Sequence, residues 1–214
     1  MKLIIFDLDG TLVDAYPAIY KSANAAILQL GCPTHNFNFI KRAVGKGDRH
    51  LMVDLVGEPL ADQALKIYRR SHGQDLKTSV KFLPGAKALL NWCQSQGILL
   101  AVASNRPTRF AKIIIKALKA ERYFQKVLCA DKAPKPKPYP DILLKICKDL
   151  KVSEDQTLFV GDMTIDVECG RRAKIKTVAV ATGSNSKKEL KESRPYKIID
   201  RVNQIKPLIT KGHI

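Results

Sequence analysis

A chain of 214 residues, 45% hydrophobic and 27% charged, has room for one domain or for one domain carrying a smaller insert, and its composition is that of a globular protein. No apolar run nears the roughly 18 residues that span a bilayer, and the N-terminal run is short and closed by Asp7, unlike a secretory signal, so a cytoplasmic protein with no membrane partner is expected. The net charge of +17 suits an anionic partner, but the basic residues are scattered, with little aromatic interleaving and no nucleic-acid motif, so a small anion is expected rather than nucleic acid.

In chain order, the apolar run 3–6 is bounded by a glycine-containing turn and reads as a buried strand. It ends in Asp7, Leu8, Asp9, Gly10 and Thr11. Residues two apart in extended chain point the same way, so Asp7 and Asp9 present two carboxylates to one spot. Such a pair repels unless a cation sits between its members or one is protonated. With a glycine turn and a threonine beside it, the stretch can hold Mg2+ and phosphate together. Taken alone it is equally a polar turn after a core strand.

Residues 15–80 show helical spacing at 17–30, 37–44, 48–56 and 60–72, with no convincing strand. Strands and helices then alternate. A helix at 84–96 stops at Gly97, a strand follows at 98–104, and a helix at 107–118 opens on proline. A strand at 126–130, a helix at 138–150 and strands at 157–161, 177–181 and, more weakly, 196–199 complete the series. That alternation predicts an α/β fold: a Rossmann-like, mostly parallel sheet covered by helices on both faces. The division predicted is a core of residues 1–14 and 81–214 with an inserted helical cap at 15–80. Five cysteines, odd in number and without CxxC spacing, argue against a disulfide framework or a structural zinc site.

Open α/β sheets bind ligands at the C-terminal ends of their strands. Those ends carry Asp7 and Asp9, then Ser104 and Asn105, then Asp162 with Asp166 four residues on, and Lys137 stands just ahead of a helix. Carboxylates, a hydroxyl, a cation and a metal-binding acid make a set suited to phosphoryl transfer. Singly, each has a plainer reading as a turn, a helix cap or a solvated lysine.

The stretches DLDGTLVD, SN, KPYPD and GDMTID, in that order, resemble the four motifs of the haloacid dehalogenase superfamily of phosphohydrolases. The helical insert is similar to that of members with a small helical cap, and AVGKGDRHLM and SNRPT look most like the phosphoglycolate phosphatase branch. The resemblance implies a Mg2+-dependent phosphatase of a small anionic phosphorylated metabolite. Asp7 would be the nucleophile and Asp9 the acid and base. The Asp7 and Asp162 carboxylates and the Asp9 carbonyl would hold Mg2+, with Asp166 behind them. Ser104 and Lys137 would bind phosphoryl oxygens, helped by Thr11 and Asn105. Lys46 and Arg49, in GKGDR, would select a carboxylate or second phosphate on the substrate, unless that loop is simply solvated.

Two points stay open in the residues themselves. Overlapping KPxP runs make Lys135 a rival of Lys137, which is preferred because KPYPD carries the acidic residue and apolar helix that follow. Lys174 stands where the family often has glycine. Asp9 argues against carbon–halogen cleavage. A phosphosugar mutase of the same fold is the nearest alternative, and a polynucleotide phosphatase or a non-catalytic binding protein stands further off.

Overall fold

The computed structural model describes residues 1–212 and 214. From the N-terminus, β1 (Leu3–Phe6) leads to a short β2 (Val13–Asp14), followed by α1 (Tyr16–Leu28), α2 (Phe37–Ala43), α3 (Asp48–Val56) and α4 (Glu58–Ser79). The chain returns through β3 (Lys81–Phe82), α5 (Ala86–Ser95), β4 (Leu99–Ser104), α6 (Thr108–Ala117) and β5 (Lys126–Cys129). It ends with α7 (Asp141–Leu150), β6 (Thr157–Gly161), α8 (Thr164–Ala173), β7 (Lys176–Val180), α9 (Lys187–Glu192), β8 (Lys197–Ile199) and α10 (Ile205–Thr210).

The six strands expected from apolar runs form one parallel sheet in the order β5-β4-β1-β6-β7-β8. Their bounds differ from the expected ones by at most a residue at either end. Alternation along β1 sorts the core into two layers. Ile4 and Phe6 pack with Leu89 and Leu90 of α5 and with Phe110 and Ile114 of α6. Leu3 and Ile5 pack with Ile142, Leu143 and Ile146 of α7 and with Cys169 and Ala173 of α8. Helices cover both faces, which is why the strands read as unbroken apolar runs. β1 and β6 lie at the centre, so Asp7 and Asp162, just past their ends, fall on the same buried edge.

β2 and β3 pair antiparallel, Val13 opposite Phe82 and Asp14 opposite Lys81, so the chain leaves for α1–α4 and returns side by side. α1 and α3 both pack along α4. This two-stranded ribbon and the helices α9 and α10 are absent from the sequence reading, because two-residue strands and six-residue helices are too short for a periodic signal. α4 runs seven residues beyond the expected 60–72: Asp75 and Leu76 keep its buried face going past a polar stretch that includes Gly73. Among the described residues no helix is long and apolar enough to cross a membrane. The thiols of Cys93, Cys129 and Cys169 are pushed up to about 12 by burial, which keeps them protonated and unreactive.

Candidate active site

β1 delivers Asp7 to the sheet's C-terminal edge, where its backbone N–H continues the ladder to the carbonyl of Val160 at 2.8 Å. The ammonium of Lys137 spends all three protons there: on Asp7 Oδ1 at 2.5 Å, Asp166 Oδ1 at 2.7 Å and the carbonyl of Ala103 at 3.1 Å. Lys135 lies outside, exposed, with its Nζ 4.9 Å from the centre of the Tyr139 ring. Of the two lysines, Lys137 is the one that reaches Asp7.

Asp162 is fully buried and accepts from Thr11 Oγ1 at 2.9 Å and from the N–H of Ser184 at 3.2 Å. Asp166 caps α8, accepting from the N–H of Met163 at 3.0 Å. Oxygens of Asp7, Asp162 and Asp166 lie within 4.8 Å of one another. Burial, opposed by Lys137 and reinforced by Asp166, lifts the Asp7 carboxyl from 3.8 to about 7. Burial and Asp7 push Asp162 well above the ordinary carboxylate range. One ammonium thus reaches two of three crowded carboxyl groups. An all-oxygen donor set with surplus negative charge suits a hard divalent cation such as Mg2+, so the residues present fit that ion. Gly10 shapes the same pocket: at φ 82° its backbone is left-handed, and a Cβ there would lie 2.7 Å from Asp162 Oδ2.

Asp9 stands apart from this cluster. Its two oxygens accept a fork from Arg106, Nε to Oδ2 at 2.7 Å and Nη2 to Oδ1 at 2.9 Å. The remaining nitrogen of the guanidinium, Nη1, is 2.8 Å from His72 Nε2. His72 is fully buried and held to about 2 by burial and by Arg106, so its ring is neutral. Because Nε2 receives the arginine proton, the ring's own proton sits on Nδ1 and is donated to Ser22 Oγ at 3.0 Å. Ser22 Oγ is 2.8 Å from Asp75 Oδ2, and Lys21 closes the chain on Asp75 Oδ1 at 2.8 Å.

Ser104 lies on the cavity wall; its oxygen accepts from the N–H of Arg106 at 3.2 Å, leaving its hydroxyl proton for another acceptor. Three other expectations need correction. Thr11 is buried, donates to Asp162 and does not line the cavity. Asn105 lines it but gives both amide protons to backbone, to the carbonyls of Gly45 at 3.1 Å and Lys137 at 3.0 Å, while its oxygen accepts from Lys137 N at 2.9 Å. It pins Lys137 and the 44–47 loop to the end of β4 instead of facing a ligand. Lys46 and Arg49 are both exposed and outside the cavity, lining a shallow neighbouring cleft. Arg49 is held by Asp62 at 2.9 Å and Glu58 at 2.6 Å. The cause is helical phase: α3 turns Asp48, Leu51, Met52 and Leu55 inward, which sends residue 49 out. Gly45 packs against Met163, whose sulfur lies where a side chain would begin.

The cavity is walled by Asp7, Asp9, Ser104, Arg106 and Lys137 from the sheet side, with Asp48, Leu51 and Tyr68 opposite. Arg106, His72 and Tyr68 were missed by the sequence reading. Arg106 directly follows the SN pair, a position within reach of any ligand at that strand end; His72 leaves no local sign.

A family model described as haloacid dehalogenase-like hydrolase matches residues 4–180. A phosphoglycolate phosphatase of Pseudomonas syringae pv. tomato is 33% identical over 215 residues, covering 96% of this chain and 79% of that protein. A predicted phosphoglycolate phosphatase from Haemophilus somnus superposes with a TM-score of 0.93 at 27% identity over 98% of both chains. A proposed beta-phosphoglucomutase from Thermotoga maritima superposes with a TM-score of 0.79 at 24% identity over 99% of both chains, a likeness of fold.

Proposed function

Since the chain belongs to the haloacid dehalogenase-like hydrolases, we propose that it is a Mg2+-dependent phosphomonoesterase acting on a small phosphorylated metabolite of the phosphoglycolate kind, through an aspartyl-phosphate on Asp7. The observation that carries this reading is the buried meeting of Asp7, Lys137, Asp162 and Asp166 on one sheet edge. A nucleophile, a cation and a surplus of carboxylate oxygens converge there, beside the free hydroxyl proton of Ser104. Residues 15–80 would act as the cap over a core of 1–14 and 81–214, a division supported by the β2–β3 ribbon, where the two connections run side by side.

In the first step an Asp7 oxygen forms a bond to phosphorus as the bond from phosphorus to the alcohol oxygen breaks. Asp9 gives that oxygen a proton. In the second, Asp9 takes a proton from water, the water oxygen attacks phosphorus, and the bond to Asp7 breaks, releasing phosphate. Ser104 holds a phosphoryl oxygen through both steps, and the Lys137 ammonium beside Asp7 offsets the repulsion between that carboxylate and the anionic phosphoryl group. The Asp7 and Asp162 carboxylates and the Asp9 carbonyl would hold Mg2+, which when bound offsets phosphoryl charge and turns carboxylate crowding into ligation.

Asp7→Asn tests the reading, since the amide keeps the size and removes the nucleophile. Phosphate release should fall by at least about 1,000-fold with the fold unchanged by circular dichroism; near wild-type release would overturn it. The same assay separates hydrolysis from mutase chemistry, because a mutase returns phosphate to its substrate instead of releasing it.

A further inference from the structure

The cavity offers an entering anion two basic side chains among its described lining residues, Lys137 and Arg106. Lys137 has no proton left to give. Arg106 is 6% exposed and spends its fork on Asp9, the group that the proposed reaction needs free. Held this way, the Asp9 oxygens face a guanidinium and not a leaving alcohol.

We propose that Arg106 is a clamp that the substrate itself displaces: it grips Asp9 in the empty site and passes its two-pronged fork to a carboxylate on the substrate, freeing Asp9 to reach the leaving oxygen. The inference rests on the phosphomonoesterase reading and adds to it a receptor for the substrate's second anionic group.

Three features carry it. A guanidinium matches any carboxylate through two parallel hydrogen bonds, so a substrate carboxylate can replace that of Asp9 in kind. An unpaired buried charge is strongly unfavourable, so Arg106 will not leave Asp9 unless another anion receives it. The third nitrogen is anchored from the helices above the site. The chain of donors from Arg106 through His72 and Ser22 ends on Asp75, itself tied to Lys21, so the guanidinium has a fixed pivot while its fork changes partner. Tyr68 stacks on His72 at 4.4 Å and keeps that ring in place. The site therefore selects by release: a phosphomonoester without a second anion meets an acid that stays clamped.

The test compares 2-phosphoglycolate with ethyl phosphate, which lacks only the carboxylate, by phosphate release with Mg2+ present. The wild-type protein should favour 2-phosphoglycolate in kcat/KM by at least about 100-fold, and Arg106→Gln should bring the ratio to within about tenfold of unity. Added formate should raise kcat/KM for ethyl phosphate in the wild-type protein by supplying the missing carboxylate, and should do nothing for Arg106→Gln. A ratio unchanged in Arg106→Gln, or formate without effect on the wild-type protein, overturns the clamp; the formate arm decides even if the variant does not fold. Release from neither substrate by the wild-type protein would instead overturn the phosphomonoesterase reading. Release from ethyl phosphate without preference for 2-phosphoglycolate would overturn the clamp alone.

Discussion

Asp7 illustrates how one carboxyl can oppose stability while equipping a site. Its folded-state titration near 7, against 3.8 when exposed, means the folded chain holds a proton that the unfolded chain has lost between those values. The associated stability is full below about pH 4 and is lost as pH rises through about 7. A cation among Asp7, Asp162 and Asp166 removes the reason for the proton, so binding should displace it. Mg2+ should therefore raise the melting temperature more above about pH 7, where the repulsion it relieves is present, than near pH 5, where the proton already relieves it. Asp7→Asn should flatten that difference. A shift equal at both pH values in the wild-type protein would contradict the assignment. The residues of this cluster were readable because each lies just past an apolar run or opens a helix. The grip on Asp9 was not: Arg106 is 97 residues away from it and His72 another 34 from Arg106, contacts that only the packed cap and sheet create.

At the scale of elements, the helix ends carry an unusual chemistry. Among the described residues, the non-glycine residues with positive φ are Lys119, Lys151, Lys174 and Arg194, each at or just past the C-terminus of a helix. Lys174 adopts φ 58°, ψ 31°, a left-handed turn of the kind that favours glycine. A lysine there meets about 1–2 kcal/mol of steric opposition, partly offset by its charge near the helix C-terminus, about 0.3–1 kcal/mol. Glycine removes the opposition but gains unfolded-state entropy of about 0.4–1 kcal/mol. These terms nearly cancel, so Lys174→Gly should change stability by no more than about 0.5 kcal/mol, seen as a urea midpoint close to that of the wild-type protein at constant slope; a large shift in either direction would contradict it. Long amphipathic and buried elements announced themselves through periodicity. α3 shows what periodicity leaves out: its limits were read correctly, yet a shift of one residue in phase separates inward Asp48 from outward Arg49.

Across the whole molecule, opposite charges are sorted by depth. The net +17 is carried largely by exposed lysines and arginines, whereas Asp7, Asp162 and Asp166 are buried together on one sheet edge. The parallel order β4-β1-β6 explains why three distant segments meet there: adjacent strands running the same way bring their C-terminal ends to one line. The helices α1–α4 rest over that line, supply Tyr68 and Asp48 to the cavity's far wall and set His72 against Arg106. Everything then turns on whether phosphorus is passed to Asp7. The direct measurement is an acid quench of the enzyme with 32P-labelled 2-phosphoglycolate and Mg2+ during the first turnovers, followed by digestion and mapping of the label. The account predicts label on the peptide bearing Asp7, absent in Asp7→Asn and discharged by further turnover. Full phosphate release with no label on that peptide would contradict it.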